Sequence, residues 1–258
     1  MGQTNAESAQ NTFNVSNSSV GNFVGSGSIH YNQASDQPIA SKAADESKQV
    51  ILFLAANPIS TRQLRLDEEI REIEAGLRRS KHRDRFELQQ RWAVRPIDLQ
   101  RALLDCKPRI VHFAGHGMGQ ATEDLSEQAP QEMVRDISLA DRAEVFDEGL
   151  VLEDRTGQPK LVRTEALSAL FELFADSVEC VVLNACYSKR QAAAIAEHIP
   201  YVVGMNQAIG DQAAIEFAVG FYDALGAGES IEQAYRLGTI AIQLSDLPEQ
   251  LTPVILKR

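Results

Sequence analysis

The sequence predicts an α/β protein with a mainly parallel central sheet that is covered by helices on both faces. Two observations lead to this fold class. Short unbroken apolar runs, of which Val50–Ala56 is the clearest, alternate with amphipathic segments from about residue 49 to the end of the chain. Strands that are buried on both faces have this continuous apolar character, and alternation with helices is typical of a parallel sheet.

The predicted elements follow one another in a regular order. Leu66, Ile70, Ile73 and Leu77 recur at helical spacing and form one apolar face. The segment from Pro96 onward begins with a proline, which the first turn of a helix accepts. The predicted strands are 50–56, 86–94, 109–114, 178–183, 201–205 and 253–256, with a short ordered segment at 150–152. The predicted helices are 61–79, 96–106, 164–175, 189–198, 211–225 and 229–244.

The composition changes abruptly near residue 47. Residues 1–46 contain six Asn, eight Ser, four Gly and four Gln but five charged residues, so this segment cannot bury an apolar core of its own. We therefore expect a low-complexity, flexible tail at 1–46 and one α/β domain at 47–258. Within the domain, segment 118–148 has Asp or Glu at nine positions and little periodicity, so we expect an acidic insertion there.

Composition also excludes several classes of function. The formal net charge is −11 and the pI is near 5.0, which is the wrong sign for a general nucleic-acid binder. The apolar run at 50–56 is far shorter than a membrane-spanning helix requires, and residues 1–4 do not resemble a secretory signal. Three cysteines do not make a disulfide framework, so a reducing cytoplasm is the expected compartment.

Two predicted strands end in residues that can carry chemistry. His116 lies between Gly115 and Gly117 after the strand at 109–114, and Cys186 follows the strand at 178–183. Ligands gather at the carboxyl ends of parallel strands, so the two side chains meet if these strands are neighbours. A thiol beside a base that takes its proton is sufficient for acyl transfer. The amides of Gly117 and Cys186 are candidate donors to an oxyanion.

Each of these residues also has an ordinary structural interpretation. A single buried cysteine is usually a small apolar side chain, and a single histidine is usually structural. Cys180, inside an apolar run, and Cys106, near a helix end, are better explained in that way. For His116 and Cys186 a catalytic role is the better explanation, because both residues lie at the ends of predicted strands.

Three motifs resemble a known family. They are VHFAGHG at 111–117, GLVLED at 149–154 and VVLNACYS at 181–188. In this order they are similar to the CHAT peptidases, a branch of the caspase-like cysteine proteases, over about residues 50–258. The resemblance implies a caspase-like three-layer α/β/α sandwich, His116 as general base, Cys186 as nucleophile, and the Gly117 and Cys186 amides as the oxyanion hole.

The chain departs from the caspase signature in two respects. His116 and Cys186 are 70 residues apart, whereas caspases have about 50, and the acidic insertion can absorb the surplus. The sequence around the cysteine also differs, so aspartate specificity is not expected.

By the same resemblance, the first specificity pocket involves Met205, Asn206 and Asp211. Asp211 suits a basic residue before the cut bond, or alternatively caps a helix that begins at Gln212.

Residues 11–31 of the tail resemble the short RHIM-like amyloid motifs that join effectors to sensors in bacterial immune, including antiviral, and cell-death systems. Apolar residues alternate there with Asn, Ser and Gly, and residues 8–35 contain no charged side chain and no proline. Strands of this type can stack in register between chains and raise the local concentration of an attached enzyme. A plainly disordered tail is the alternative.

The sequence therefore predicts a cytoplasmic cysteine endopeptidase that needs no metal or organic cofactor. Its partners are a protein substrate and a sensor or scaffold protein bound through the tail, with no nucleic acid and no membrane. Two alternatives stay open at this point. One is an adaptor in which the Cys-His pair is idle, and the other is a small-molecule thiol amidase or esterase.

Overall fold

A computed structural model describes residues 48–119 and 148–258. The predicted tail at 1–46 and most of the predicted acidic insertion, residues 120–147, lie outside the described residues. No helix in the described part of the chain is both long enough and apolar enough to cross a membrane. All the elements below belong to one compact unit.

The centre of the domain is a six-stranded sheet in the order β2-β1-β3-β7-β8-β9. The first five of these strands are mutually parallel, and β9 pairs antiparallel with β8 at one edge. The prediction of a mainly parallel sheet is confirmed. The strands are β1 Gln49–Ala55, β2 Phe86–Arg91, β3 Ile110–Ala114, β7 Cys180–Asn184, β8 Tyr201–Met205 and β9 Pro253–Lys257.

Helices cover both faces of this sheet. The side chains of β1 alternate between the two faces, so that Ile51 and Phe53 pack with α1, α5 and α6, whereas Leu52 and Leu54 pack with α2, α3 and α4. Two apolar cores therefore lie on either side of one sheet, which makes the three layers of an α/β/α sandwich. The helices are α1 Leu66–Arg79, α2 Pro96–Cys106, α3 Thr164–Glu172, α4 Lys189–Ile195, α5 Asp211–Ala227 and α6 Ile231–Leu244.

A second, antiparallel sheet of three short strands was not predicted. Its order is β4-β5-β6, with β4 at His116–Met118, β5 at Gly149–Glu153 and β6 at Pro159–Arg163. The strand β6 was missed because its pattern is polar and largely exposed, without an apolar run. His116 consequently begins a strand of this sheet and does not lie in a loop.

Several predicted helix boundaries differ from the structure. The helix predicted at 61–79 begins at Leu66, because residues 57–65 form a hydrogen-bonded loop in which the Asn57 side chain contacts the Leu64 backbone. Helices α3 and α4 end three residues before the predicted 175 and 198, and α6 begins two residues after the predicted 229. Helix α5 begins at Asp211, as in the predicted range 211–225, and not at Gln212, as the alternative of an Asp211 cap required; its N-cap is Gly210. Asp211 is therefore a first-turn residue and not the helix cap.

Candidate active site

Cys186 lies in a tight turn between β7 and α4. Tyr187, the next residue, adopts the left-handed backbone conformation with a φ of 55°, which reverses the chain directly after the cysteine. Ser188 is buried and holds the turn, since its Oγ donates to Leu183 O at 2.9 Å and accepts from Met205 N at 2.9 Å. The position of Cys186 is therefore fixed by backbone geometry and by a buried hydroxyl.

The sulfur of Cys186 contacts the backbone of Ile209, in the loop between β8 and α5. The N–H of Ile209 donates to Sγ at 3.5 Å, and Sγ lies 3.7 Å from the carbonyl oxygen of the same residue. Cys186 is partly exposed, whereas Cys180 is fully buried in the core. The loop before α5 thus holds the thiol at a surface where a substrate can approach it.

His116 follows β3, the direct neighbour of β7. Ala114 pairs with Asn184 in the register of these strands, so His116 and Cys186 each lie two residues beyond a paired position. The ring nitrogen Nε2 of His116 lies 2.8 Å from the carbonyl oxygen of Arg62. A carbonyl can only accept, so Nε2 carries the hydrogen and Nδ1 of the neutral ring has the free lone pair.

The environment of His116 lowers its pKa below the ordinary value of 6.5. Burial is the largest cause because it disfavours the charged ring. The hydrogen bond to the Arg62 carbonyl and the Asp211 carboxylate both raise the pKa of His116. The Arg62 guanidinium lowers this pKa, as burial does. The net result is a ring that stays neutral, and can accept a proton, at neutral pH.

A narrow pocket brings these groups together at the carboxyl end of the large sheet. Its volume is about 40 Å³, and its lining includes both His116 and Cys186. Asp211 and the buried side chains of Asn184 and Glu69 lie in the same lining. The remaining lining residues come from the loop before α1, the start of α1, the loop before α5 and the beginning of α5: Leu64, Arg65, Leu66, Ile209, Ala214 and Ile215, together with Gly115 and Ala185.

Comparison with known proteins identifies the family. The CHAT domain matches residues 25–250. The chain belongs to the CHAT domain family. This match begins inside the segment that composition assigns to the tail.

Two relatives share limited identity with this CHAT domain. A Roc-COR-CHAT protease from an unknown prokaryotic organism is 23% identical over 211 residues, which cover 79% of this chain and 17% of the relative. A probable protease from Gillisia limnaea is 22% identical over 187 residues, which cover 72% of this chain and 28% of that relative. The chain therefore spans less than a third of the length of either relative.

Among solved structures, the CHAT domain resembles a secreted C11 cysteine protease from Bacteroides thetaiotaomicron in complex with an irreversible peptide inhibitor. The TM-score is 0.45 and the sequence identity is 12%, over 73% of this chain and 58% of that one. A structural similarity this low gives no information about the active site. The description of the site therefore depends on the geometry of this chain alone.

The backbone of β4 packs directly against the cysteine turn of the CHAT domain. A methyl group on Gly117 would overlap the carbonyl oxygen of Cys186, and one on Gly119 would lie 2.7 Å from Cβ of Tyr187. Only glycine permits this approach. The two residues predicted to supply oxyanion donors, Gly117 and Cys186, are thus in backbone contact.

A buried polar cluster that sequence reasoning missed lies below the pocket. Glu69 Oε1 accepts a hydrogen bond from Asn184 Nδ2 at 2.7 Å and lies 2.8 Å from His112 Nε2. The other ring nitrogen of His112 lies 3.1 Å from the hydroxyl of Tyr222, whose pKa burial raises well above its ordinary value. The sequence contains one indication of this cluster. Glu69 lies three residues after Leu66, on the apolar face of α1, where a charged side chain must be buried.

The three predicted specificity residues occupy different places. Asp211 lines the pocket beside His116. Met205 is fully buried in the core. Asn206 is exposed, and its side-chain amide donates to Leu251 O at 3.2 Å. Of the three, Asp211 alone is part of the described pocket lining.

Proposed function

We propose that this CHAT domain is a cysteine endopeptidase with Cys186 as the nucleophile and His116 as the general base. The observation that carries the proposal is that β3 and β7, adjacent and in register, deliver these two side chains to one pocket. A neutral imidazole whose Nδ1 lone pair is free can take the thiol proton. Both relatives are named as proteases, which supports the same activity.

The reaction follows from these positions. Nδ1 of His116 takes the proton of Cys186 as sulfur attacks the peptide carbonyl carbon, forming the S–C bond. The imidazolium then protonates the leaving amine as the C–N bond breaks, which leaves a thioester. Water attacks the thioester, His116 takes its proton, and the thiol is released. The amides of Gly117 and Cys186 are the proposed donors to the oxyanion.

The pocket chemistry favours a substrate with a basic residue before the cut bond. Asp211 and Glu69 contribute carboxylates to the lining. Asn184 Oδ1 is buried and, among the described residues, lacks a hydrogen-bond partner. Buried acceptors are normally satisfied, so a cationic side chain could donate to the Asn184 oxygen and would also meet negative charge. We expect Lys or Arg peptides to be cleaved faster than matched Asp or Leu peptides.

Mutagenesis of the pair tests the activity. Cys186→Ala and His116→Ala should each abolish peptide hydrolysis while the far-ultraviolet circular dichroism stays that of the wild type. Cys106→Ala is the matched control, since Cys106 lies at the end of α2, and it should retain activity. Cleavage by a folded Cys186→Ala protein would reject the proposal. Hydrolysis of short esters with protein substrates left whole would support the small-molecule hydrolase instead.

We further propose that residues 1–46 recruit the enzyme to a sensor in an immune or cell-death assembly. The support is the uncharged, proline-free pattern of residues 8–35, which suits stacked strands. Deletion of 1–46 should leave hydrolysis of a short peptide intact and abolish co-assembly with the sensor. If the shortened chain still co-assembles, the tail is not the recruiting element.

A further inference from the structure

The orientation of His116 depends on a backbone group that sequence reasoning did not consider. Its Nε2 lies 2.8 Å from Arg62 O, in the loop between β1 and α1. This contact places the hydrogen on Nε2 and leaves Nδ1 as the basic nitrogen, which is the tautomer that the proposed function requires. Whatever holds the Arg62 carbonyl in place therefore also sets the tautomer.

The Asn57 side chain closes the loop that carries Arg62. Its Nδ2 donates to Leu64 O at 3.1 Å, and its Oδ1 accepts from Leu64 N at 3.2 Å. The two bonds join the ends of an eight-residue loop, since Asn57 and Leu64 are seven positions apart. Inside it, Thr61 donates to Pro58 O through both its backbone N–H and its hydroxyl.

The β5–β6 hairpin holds the same loop from the other side. The Glu153 side chain, which is 9% exposed, accepts a hydrogen bond from the backbone N–H of Asn57 at 3.0 Å. Ile59 N donates to Gly157 O at 2.9 Å, in the turn of that hairpin. The backbone of Glu153 is held in turn, because Glu153 N donates to Val94 O at 2.9 Å. The loop is thus attached to the small sheet that begins with His116.

We propose that Asn57 and Glu153 are positioning residues that hold the Arg62 carbonyl against His116 Nε2 and so keep Nδ1 free to act as the base. This inference rests on the proposed function for its catalytic consequence, but its structural part does not. Loss of either side chain frees the loop, and the ring then exchanges its hydrogen between the two nitrogens through solvent. A fraction of the molecules would then present N–H, and not a lone pair, to the thiol.

Nitrogen NMR of the full chain measures the tautomer directly. The protein would be labelled with ¹⁵N-histidine, and the His116 signals among the five histidines would be assigned by their loss in His116→Ala. At a pH well above the ordinary histidine pKa, the wild type should show Nε2 protonated and Nδ1 unprotonated. Asn57→Ala should show averaged shifts, which indicate a mixture of tautomers.

Glu153 supplies a matched pair of variants. Glu153→Ala removes the acceptor for Asn57 N–H and should reproduce the averaged shifts. Glu153→Gln keeps an oxygen at that position and should restore the wild-type signals. Gln63→Ala is the control within the same loop, because its exposed amide contacts Pro58 O and Thr61 O but not Leu64 or His116. Its spectrum should match the wild type.

Kinetics provide the second readout. Asn57→Ala and Glu153→Ala should lower kcat by about 10-fold with KM nearly unchanged, because a misplaced base affects the chemical step more than substrate binding. Glu153→Gln should recover most of the loss. Unaltered His116 signals in folded Asn57→Ala and Glu153→Ala proteins would overturn the inference, as would an equal change in Gln63→Ala. If Asn57→Ala fails to fold, the Glu153 pair decides the question.

The two proposals fail in different ways. If the wild type hydrolyses no peptide yet Asn57→Ala changes the tautomer, the proposed function is wrong and the positioning role stands. If the wild type is active and the tautomer is insensitive to both side chains, the positioning role is wrong and the peptidase assignment stands.

Discussion

The backbone of Gly117 packs against the carbonyl oxygen of Cys186, with no room for a side chain between them. This contact joins the first strand of the small sheet to the turn that carries the thiol. The proposed oxyanion donors, the amides of Gly117 and Cys186, belong to these two backbone segments. The packing of β4, which begins with His116, against the turn of Cys186 thus depends on a position where glycine is required for steric reasons.

Gly117→Ala should therefore impair both folding stability and activity. The added methyl would overlap the Cys186 carbonyl, and overpacking of this type costs about 1 to 3 kcal/mol. Thermal unfolding and peptide hydrolysis would measure the two effects. In Gly210→Ala the new methyl would lie 3.1 Å from Oε1 at the far end of the Glu249 side chain, so the loss of stability should stay within about 1 kcal/mol. Wild-type stability and activity in Gly117→Ala would show that the close contact is not maintained in solution.

Removal of the buried carboxylate of Glu69 should destabilise the domain strongly. Glu69→Ala removes the buried carboxylate that contacts both the Asn184 amide and the His112 ring, although Asn184 Nδ2 keeps its bond to Ala214 O; the change should cost about 3 kcal/mol or more. Glu74→Ala is the control on the same helix, because Glu74 forms an exposed ion pair with Arg78. That change should cost no more than about 0.5 kcal/mol. Similar unfolding midpoints in urea for the two variants would contradict a structural role for the cluster.

In a pH profile of kcat/KM, the fall at acid pH should have its midpoint below the ordinary histidine pKa. Since the proposed base, His116, can accept a proton only when it is neutral, and burial lowers its pKa from 6.5, kcat/KM should fall only at lower pH. The Asp211 carboxylate raises the pKa of His116 because it favours the charged ring, so Asp211→Asn should move the limb to still lower pH.

Glu216→Gln serves as the control for this measurement. Glu216 lies further along α5, where it pairs with Gln212 at the surface. The acid limb of the kcat/KM profile of Glu216→Gln should coincide with that of the wild type. A limb that moves to higher pH in Asp211→Asn would have the wrong sign for the proposed electrostatic role.

Alkylation should distinguish the three cysteines. Cys180 is fully buried, and burial raises the pKa of its thiol far above the ordinary value. Burial also raises the pKa of Cys106. Cys186 is partly exposed and lines the same pocket as His116, the proposed base, so iodoacetamide should modify it first in the native protein. Peptide mass spectrometry would identify the site, and faster labelling of Cys106 would count against an activated nucleophile.

Much of the fold could be predicted because its strands are short apolar runs buried on both faces. The predicted bounds of α2 and β8 agree with the structure, and those of β3 differ by one residue. The small sheet could not be predicted in the same way. Its strand β6 has a mostly exposed, polar pattern, and β4 has only three residues, too few to show a period.

The fold class, and a histidine and a cysteine at the ends of two strands, can be predicted from the amino-acid sequence, since hydrophobic period and strand ends are local properties. That β3 and β7 are neighbours, in a register that brings His116 and Cys186 into one pocket, follows from the packing of the folded chain. The same packing makes the carbonyl of Arg62 the partner of His116 and puts Glu69 in the lining of the pocket. Every residue has a backbone carbonyl, so such a contact leaves no signature in the sequence and depends on long-range packing alone.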